Sequence, residues 1–274
     1  MRFVKAHGAG NDFILLPDLD DRLVLTPAIV QALCDRHRGL GADGVIRIAP
    51  ASSPDADVFM DYRNADGSLA EMCGNGVRCV AKYLVDRQLA QLEIRIDSRD
   101  GVKAVVCTRG EDGLVDRVRV DMGAPVPGKV DMLLNVGEQA VSVTTVSMGN
   151  PHAVIVVDDV AAAPVNTLGP LIAGHAMFPE GTNVEFISVP SRDRVVGRIW
   201  ERGVGETLAS GTGGSAMAVA ANLLDLADRQ VTVQLPGGAL GIDWGSDTLH
   251  VSGPAEEVAE GAVVPAWLAA RGAA

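Results

Sequence analysis

At 274 residues the chain has room for one large or two modest domains, either able to bury a core without disulfide or metal staples. Hydrophobic residues make up 47% and charged residues 21%, an ordinary balance for a folded chain that excludes disorder. A net charge of −12, with no lysine or arginine cluster, excludes nucleic acid and anionic membrane as main partners.

In chain order, the opening Met1-Arg2-Phe3-Val4-Lys5-Ala6 carries no apolar stretch of the signal-peptide kind, and no run of 18 apolar residues follows. A cytoplasmic protein is therefore expected. The first helix takes Thr26 as N-cap and Pro27 at its first position and is predicted to run to Gly39, with Val30, Leu33, Cys34 and His37 facing inward. Strand patterns, alternating or β-branched, appear at 45–48, 92–96, 101–106, 115–120, 141–146, 153–157 and 231–235. Two further helices open after glycine loops. Beyond Gly74-Asn75-Gly76, residues Val77, Val80, Ala81, Leu84 and Val85 form an amphipathic stripe; beyond Gly211-Thr212-Gly213-Gly214, the run Ser215 to Leu224 is small and apolar nearly all round and should be buried. Many strands with few helices imply an α+β fold.

The sequence also repeats itself. Gly10-Asn11-Asp12-Phe13-Ile14 returns as Gly149-Asn150-Pro151-His152-Ala153, Gly41-Ala42-Asp43-Gly44 more loosely as Gly181-Thr182-Asn183-Val184, and Cys73-Gly74-Asn75-Gly76 as Ser210-Gly211-Thr212-Gly213. Each echo is weak alone, but three in one order at nearly one offset point to an internal duplication. Two similar domains are expected, 1–115 and 116–253, with the tail 254–274 able to complete the first.

The glycine loops carry the chemistry. Cys73 lies just before a helix, where unpaired N–H groups and the dipole lower a thiol pKa and can seat a carboxylate. Gly74 and Gly76 would let a ligand approach the backbone. By duplication a second helix start, with N–H groups from Gly211, Thr212 and Gly213, is expected to face the first, Ser210 standing where Cys73 has its thiol. One carboxylate between two such starts, with an acid–base side chain on each face, suits removal and return of an α-proton without a cofactor.

On His7-Gly8-Ala9-Gly10-Asn11-Asp12-Phe13, Tyr62-Arg63-Asn64-Ala65-Asp66-Gly67, Glu71-Met72-Cys73-Gly74-Asn75-Gly76-Val77-Arg78-Cys79, Gly149-Asn150-Pro151-His152, Gly181-Thr182-Asn183 and Trp200-Glu201-Arg202-Gly203, the chain resembles the diaminopimelate epimerases. The resemblance spans essentially the whole length. It implies two pseudo-symmetric domains, each a mostly antiparallel sheet or barrel around a central helix, with the site in the interdomain cleft. It implies interconversion of LL- and meso-diaminopimelate for lysine and peptidoglycan synthesis, with no cofactor and no metal, and pairing of two copies as in relatives of this fold. By motif position Cys73 resembles one of two catalytic thiols, and Glu201 and His152 the residues flanking the pair. Asn11, Asn64, Asn150, Asn183 and Arg202 resemble the holders of the distal amino and carboxylate groups. Gly74 with Asn75, and Gly211 with Thr212, resemble the two helix starts that take the reacting carboxylate.

At one place the sequence departs from the family pattern, which has cysteine where this chain has Ser210. A thiol with pKa near about 8.5 supplies thiolate at neutral pH, and an alcohol does not. Three readings stay open: an engineered substitution that stalls turnover while sparing binding, a native serine in a slow or relay-assisted enzyme, or one-base chemistry such as dehydration, or ligand binding alone. Another amino-acid racemase on the same scaffold is the remaining alternative. Cys34, Cys79 and Cys107 read as core packing, and His37 as a helix-end residue.

Overall fold

The computed structural model of the chain describes residues 1–137 and 139–271. Its first two strands, β1 (Arg2–Gly8) and β2 (Asn11–Pro17), are joined by Ala9 and Gly10, both at positive φ (53° and 83°). Two such residues give a turn whose twist matches an antiparallel hairpin, and they leave Asn11 opposite Gly8 at the hairpin's end. There follow α1 (Pro27–Cys34), β3 (Gly44–Pro50), β4 (Val58–Asn64), α2 (Gly74–Asp86), β5 (Glu93–Asp97), β6 (Lys103–Arg109) and β7 (Val115–Asp121). The pairings run antiparallel (β1/β2), parallel (β2/β3), antiparallel (β3/β4), parallel (β4/β5), then antiparallel twice (β5/β6, β6/β7).

The next stretch builds the same object again. After β8 (Val126–Pro127) and β9 (Met132–Val136) come β10 (Gln139–Ser147), β11 (Pro151–Val156), α3 (Val165–Ala173), β12 (Asn183–Ser191), β13 (Arg194–Glu201), the short β14 (Gly205–Thr207), α4 (Gly211–Leu223), β15 (Gln230–Leu235), β16 (Gly238–Trp244) and β17 (Leu249–Gly253). Pairings of β10, β11, β12, β13, β15, β16 and β17 repeat the order antiparallel, parallel, antiparallel, parallel, antiparallel, antiparallel. The chain then adds β18 (Glu256–Ala262), antiparallel to β1, and the five-residue α5 (Pro265–Ala269). Two units result, Met1–Val120 with Gly253 onward, and Asp121–Ser252. Each is an α+β unit with a mainly antiparallel sheet. The duplicated topology also corrects the loosest sequence echo by one residue. Phe13 pairs with Gly44 across β2/β3 as His152 pairs with Asn183 across β11/β12, so Asn183 corresponds to Gly44 rather than to Asp43.

Within each unit the strands wrap one helix. The α2 helix touches β1, β2, β4, β5, β6 and β18, and α4 touches β10 to β13, β15 and β16. The amphipathic stripe expected on α2 is therefore not what is found: the helix is buried on every side from Gly74 to Val85. Its two cations go inside with partners, Lys82 donating to Asp86 at 2.8 Å and to the Val115 carbonyl at 2.6 Å, as burial of charge requires. The second helix is buried nearly throughout, as its alanine-rich sequence predicts. Gly76 and Gly213 also let each helix sit close to its sheet. A Cβ on Gly76 would lie 2.6 Å from Ile46 Cδ1, and one on Gly213 2.7 Å from Ile199 Cδ1.

The first helix is shorter than predicted. Thr26 does cap it, accepting from the Ile29 N–H, but α1 stops at Cys34 and His37 lies exposed beyond it. Asp35 breaks it by accepting from the His37 and Arg38 N–H groups at 2.8 and 2.9 Å, offering the backbone an alternative to the next helical turn. Among the described residues no helix is long and apolar enough to cross a membrane.

Candidate functional site

In the first unit the site residues gather where β2 begins and α2 begins. Cys73 is the N-cap of α2, in an extended conformation, and makes no side-chain cap bond. Its Sγ lies 3.6 Å from Asn11 Oδ1, and the same oxygen accepts from Asn75 Nδ2 at 3.1 Å. Asn11 is held in this orientation from its other end, since its Nδ2 donates to Asp43 at 2.8 Å. Behind Asn75 lies Arg78, fully buried, donating to Asn75 Oδ1 at 2.8 Å, to the Gly74 carbonyl at 3.3 Å and to the Pro254 carbonyl at 3.1 Å. Asn64 ends β4 and donates to Ser68 Oγ at 3.0 Å; the next residue, Ala65, donates its N–H to the Asp43 carbonyl.

Asp12 anchors the turn that presents Asn11. It pairs with Lys5 at 2.5 Å and with Arg36 at 2.8 Å, and it accepts from the Asp43 N–H. Burial disfavours its charge, but hydrogen bonds from Arg36 and Lys5 win and hold the carboxyl far below its ordinary value. A depressed carboxylate contributes stability that is present above the unfolded pKa of about 3.9 and is lost as pH falls below it. Between about pH 4 and pH 2 the wild type should lose more stability than Asp12→Asn, read from urea midpoints. Equal slopes would show that Asp12 does not hold this corner.

The second unit repeats the plan with different chemistry. Ser210 is the N-cap of α4, its Oγ accepting from the Gly213 N–H at 3.2 Å and lying 3.4 Å from Thr212 Oγ1. Asn150, the counterpart of Asn11, reaches Thr212 Oγ1 through its Nδ2 at 3.5 Å. Its oxygen lies 2.9 Å from His152 Nε2, whose Nδ1 is 2.6 Å from Glu185 Oε1. An amide oxygen only accepts, so Nε2 carries a hydrogen. Both members of the His152–Glu185 pair are fully buried, Glu185 Oε2 has no hydrogen-bond partner, and burial pushes the Glu185 carboxyl up against the pull of His152. Asn183 accepts the Arg202 N–H at 2.9 Å and donates to the Pro151 carbonyl at 3.1 Å; the exposed Arg202 guanidinium bonds the Glu180 carbonyl, and Glu201 accepts from Thr207 Oγ1 at 2.5 Å.

Thus Asn11, Cys73, Gly74 and Asn75 come together in one unit, with Asn64 joined through Asp43. Asn150, His152, Ser210, Gly211 and Thr212 come together in the other, where Asn183, Arg202 and Glu201 close the ends of β12 and β13. Three residues of these networks were missed in the sequence: Asp43, Arg78 and Glu185. Glu185 had a signal, since the register aligns His152 with Phe13 and Glu185 with Ile46, placing a charged pair where the other unit buries an apolar one. The remaining thiols sit in the core as expected, and burial pushes Cys34 and Cys79 up to about 12 and Cys107 to about 11.

The sequence comparisons point to the diaminopimelate epimerase family. The model of the diaminopimelate epimerase family matches residues 3–127 and 144–263. A diaminopimelate epimerase of Pelotomaculum thermopropionicum is 46% identical over 277 residues, covering 95% of this chain and 98% of that protein, and one of Synechococcus elongatus is 45% identical over 280 residues, covering 96% and 98%. Among solved structures, a probable proline racemase from Agrobacterium radiobacter superposes with a TM-score of 0.75 at 15% identity, covering 96% of this chain and 93% of that one, which is a likeness of fold. Matched along nearly its whole length at this level of identity, the chain belongs to the diaminopimelate epimerase family, a family of isomerases.

Proposed function

We propose that this chain acts on diaminopimelate at its α-carbon, without a cofactor, moving a proton between the LL and meso forms. Cys73 and residue 210 take opposite faces of that carbon. The reacting carboxylate docks on the helix starts at Gly74-Asn75 and Gly211-Thr212, whose N–H groups stabilise the carbanion as charge moves onto the carboxylate oxygens. Asn11, Asn64, Asn150, Asn183 and Arg202 hold the distal end, the arginine fork suiting its carboxylate. His152 and Glu201 flank the acid–base pair. The observation that carries this reading is an arrangement built twice: an asparagine at or just before a strand's start (Asn11, Asn150) bonded to the second residue of a buried helix (Asn75, Thr212) whose N-cap bears the acid–base side chain (Cys73, Ser210).

One observation favours a restricted form of the activity. Ser210 Oγ is already engaged as a helix cap by the Gly213 N–H, and as an alcohol it is no base at neutral pH. The chain as it stands should then remove and restore the proton mainly from the Cys73 face. Incubation of both isomers in D2O tests this by mass spectrometry. The expected result is deuterium at the α-carbon of one isomer, faster than inversion. Exchange into single-carboxylate amino acids but not into diaminopimelate would overturn the substrate assignment, and exchange into neither would leave only a binding protein.

A further inference from the structure

Arg78 stands out among the buried groups. Its guanidinium has no exposed surface, yet its three hydrogen bonds all go to neutral acceptors, and no carboxylate among the described residues pairs with it. The carboxylates on the elements around α2 are committed elsewhere: Asp12 to Lys5 and Arg36, Asp61 to Arg47, Arg63 and Arg99, Glu257 to Arg87, and Asp86 to Lys82. Glu256 on β18 stands 3.8 Å from His7 on β1. Burial pulls the Arg78 guanidinium below its ordinary value; Cys79 and Cys73 of its own neighbourhood pull the other way, and Arg117 of β7 adds repulsion. Cys79 is deeply buried and its thiol is pushed up to about 12, so it stays neutral at ordinary pH. A buried charge without a counter-ion is costly.

The second unit makes the contrast. Five residues after its N-cap, where α2 has Arg78, α4 has Ser215, buried and bonded to the Gly211 carbonyl at 2.8 Å. Both side chains reach the first carbonyl of their helix, but only one brings a charge. The two helix starts share this geometry, and only the first has a charged side chain at that position.

We propose that Arg78 is a positioning residue that holds a full positive charge behind the start of α2, so that Cys73 rests as thiolate and the first unit supplies the base. It touches no ligand, being sealed behind Gly74 and Asn75, and acts through the field at the helix start together with the dipole. The 3.6 Å contact between Cys73 Sγ and Asn11 Oδ1 favours the thiol, but an S–H···O contact of that length is weak beside a charge in a low-dielectric interior. The consequence for turnover rests on the function proposed above; the acidity of the thiol does not.

The test is alkylation of Cys73 by iodoacetamide across pH, with the labelled residue mapped by mass spectrometry. The other three cysteines are buried and should not react in the neutral range. In the wild type the reactive midpoint is expected at least one pH unit below the ordinary thiol value of about 8.5. Arg78→Met should slow alkylation at about pH 6.5 by about ten-fold or more, and Arg78→Lys, which keeps the charge but not the fork, by less than about three-fold. A folded Arg78→Met protein with an unmoved midpoint would overturn the proposal, as would equal slowing in Arg78→Lys. Should Arg78→Met fail to fold, the stability difference between wild type and Cys73→Ala decides. A depressed thiol pKa adds stability that appears as pH rises through the folded value toward the unfolded one, so this difference must grow between about pH 6 and pH 9; a flat difference overturns the assignment. Alkylation needs no substrate. A chain that passes this test and exchanges no α-hydrogen defeats the proposed function alone, and the opposite outcome defeats the charge assignment alone.

Discussion

Replacing Ser210 with cysteine should raise LL-to-meso interconversion by at least about 10²-fold, within the range that one general acid–base group contributes. The serine hydroxyl is held at the start of α4 by the Gly213 N–H at 3.2 Å and lies 3.4 Å from Thr212 Oγ1. That suits a helix cap, which satisfies a backbone donor left over from the first turn. It does not suit proton abstraction, because an alcohol ionises far above neutral pH. A thiol at the same N-cap would feel the same helix start and form thiolate at working pH. Substrate affinity should change little, since Gly211, Thr212 and Asn150 are untouched. A coupled stereospecific assay of both proteins decides the matter. Unchanged turnover in Ser210→Cys would mean that position 210 is not the second acid–base residue.

The second large effect concerns stability. Glu185→Ile should destabilise the chain by about 3–5 kcal/mol, because it leaves His152 buried without its partner. The double variant His152→Phe with Glu185→Ile should recover that loss and stand within about 1 kcal/mol of the wild type or above it. The reason lies in the other copy of the fold, where Phe13 and Ile46, both fully buried, occupy the equivalent register positions and pack as an ordinary core. Replacing a buried ionic pair by apolar groups of similar volume is often neutral or stabilising. Urea midpoints of the three proteins measure this. If the double variant is as weak as the single one, the pair is structural after all. If it is stable, the pair is kept for what it does: it holds the Asn150 amide with its nitrogen toward Thr212 and the start of α4.

These cases show what was legible in the residues and what was not. The two buried helices and the glycine loops before them were readable because an N-cap followed by small residues and an apolar run has few other meanings. The duplication was readable because turns keep their glycines and asparagines when strands drift. The end of α1 was not, since Asp35 competes locally with the next turn while leaving the apolar spacing through His37 intact. The α3 helix was missed because Pro164 and Pro170 mark a loop to any sequence reading, although Pro164 stands only at its N-cap. Arg78 and Glu185 were hidden for a common reason. A charge in a helix or strand reads as the solvent face, and only the sheet wrapped around α2 and α4 turns those positions inward. The asparagine orientations are likewise set by partners far away in the chain, Asp43 for Asn11 and His152 for Asn150.

The central claim is that two residues, one from each copy, serve opposite faces of one carbon. Its most direct test uses α-deuterated LL-diaminopimelate and the Ser210→Cys protein in ordinary water, with the meso product sampled over the first turnovers. With both α-carbons deuterated, delivery of a solvent-derived hydrogen from the second face is expected to give meso product with deuterium only at the uninverted α-carbon from the outset. Meso product that keeps deuterium at both α-carbons would mean that one residue removes and returns the same atom, which contradicts the two-sided site.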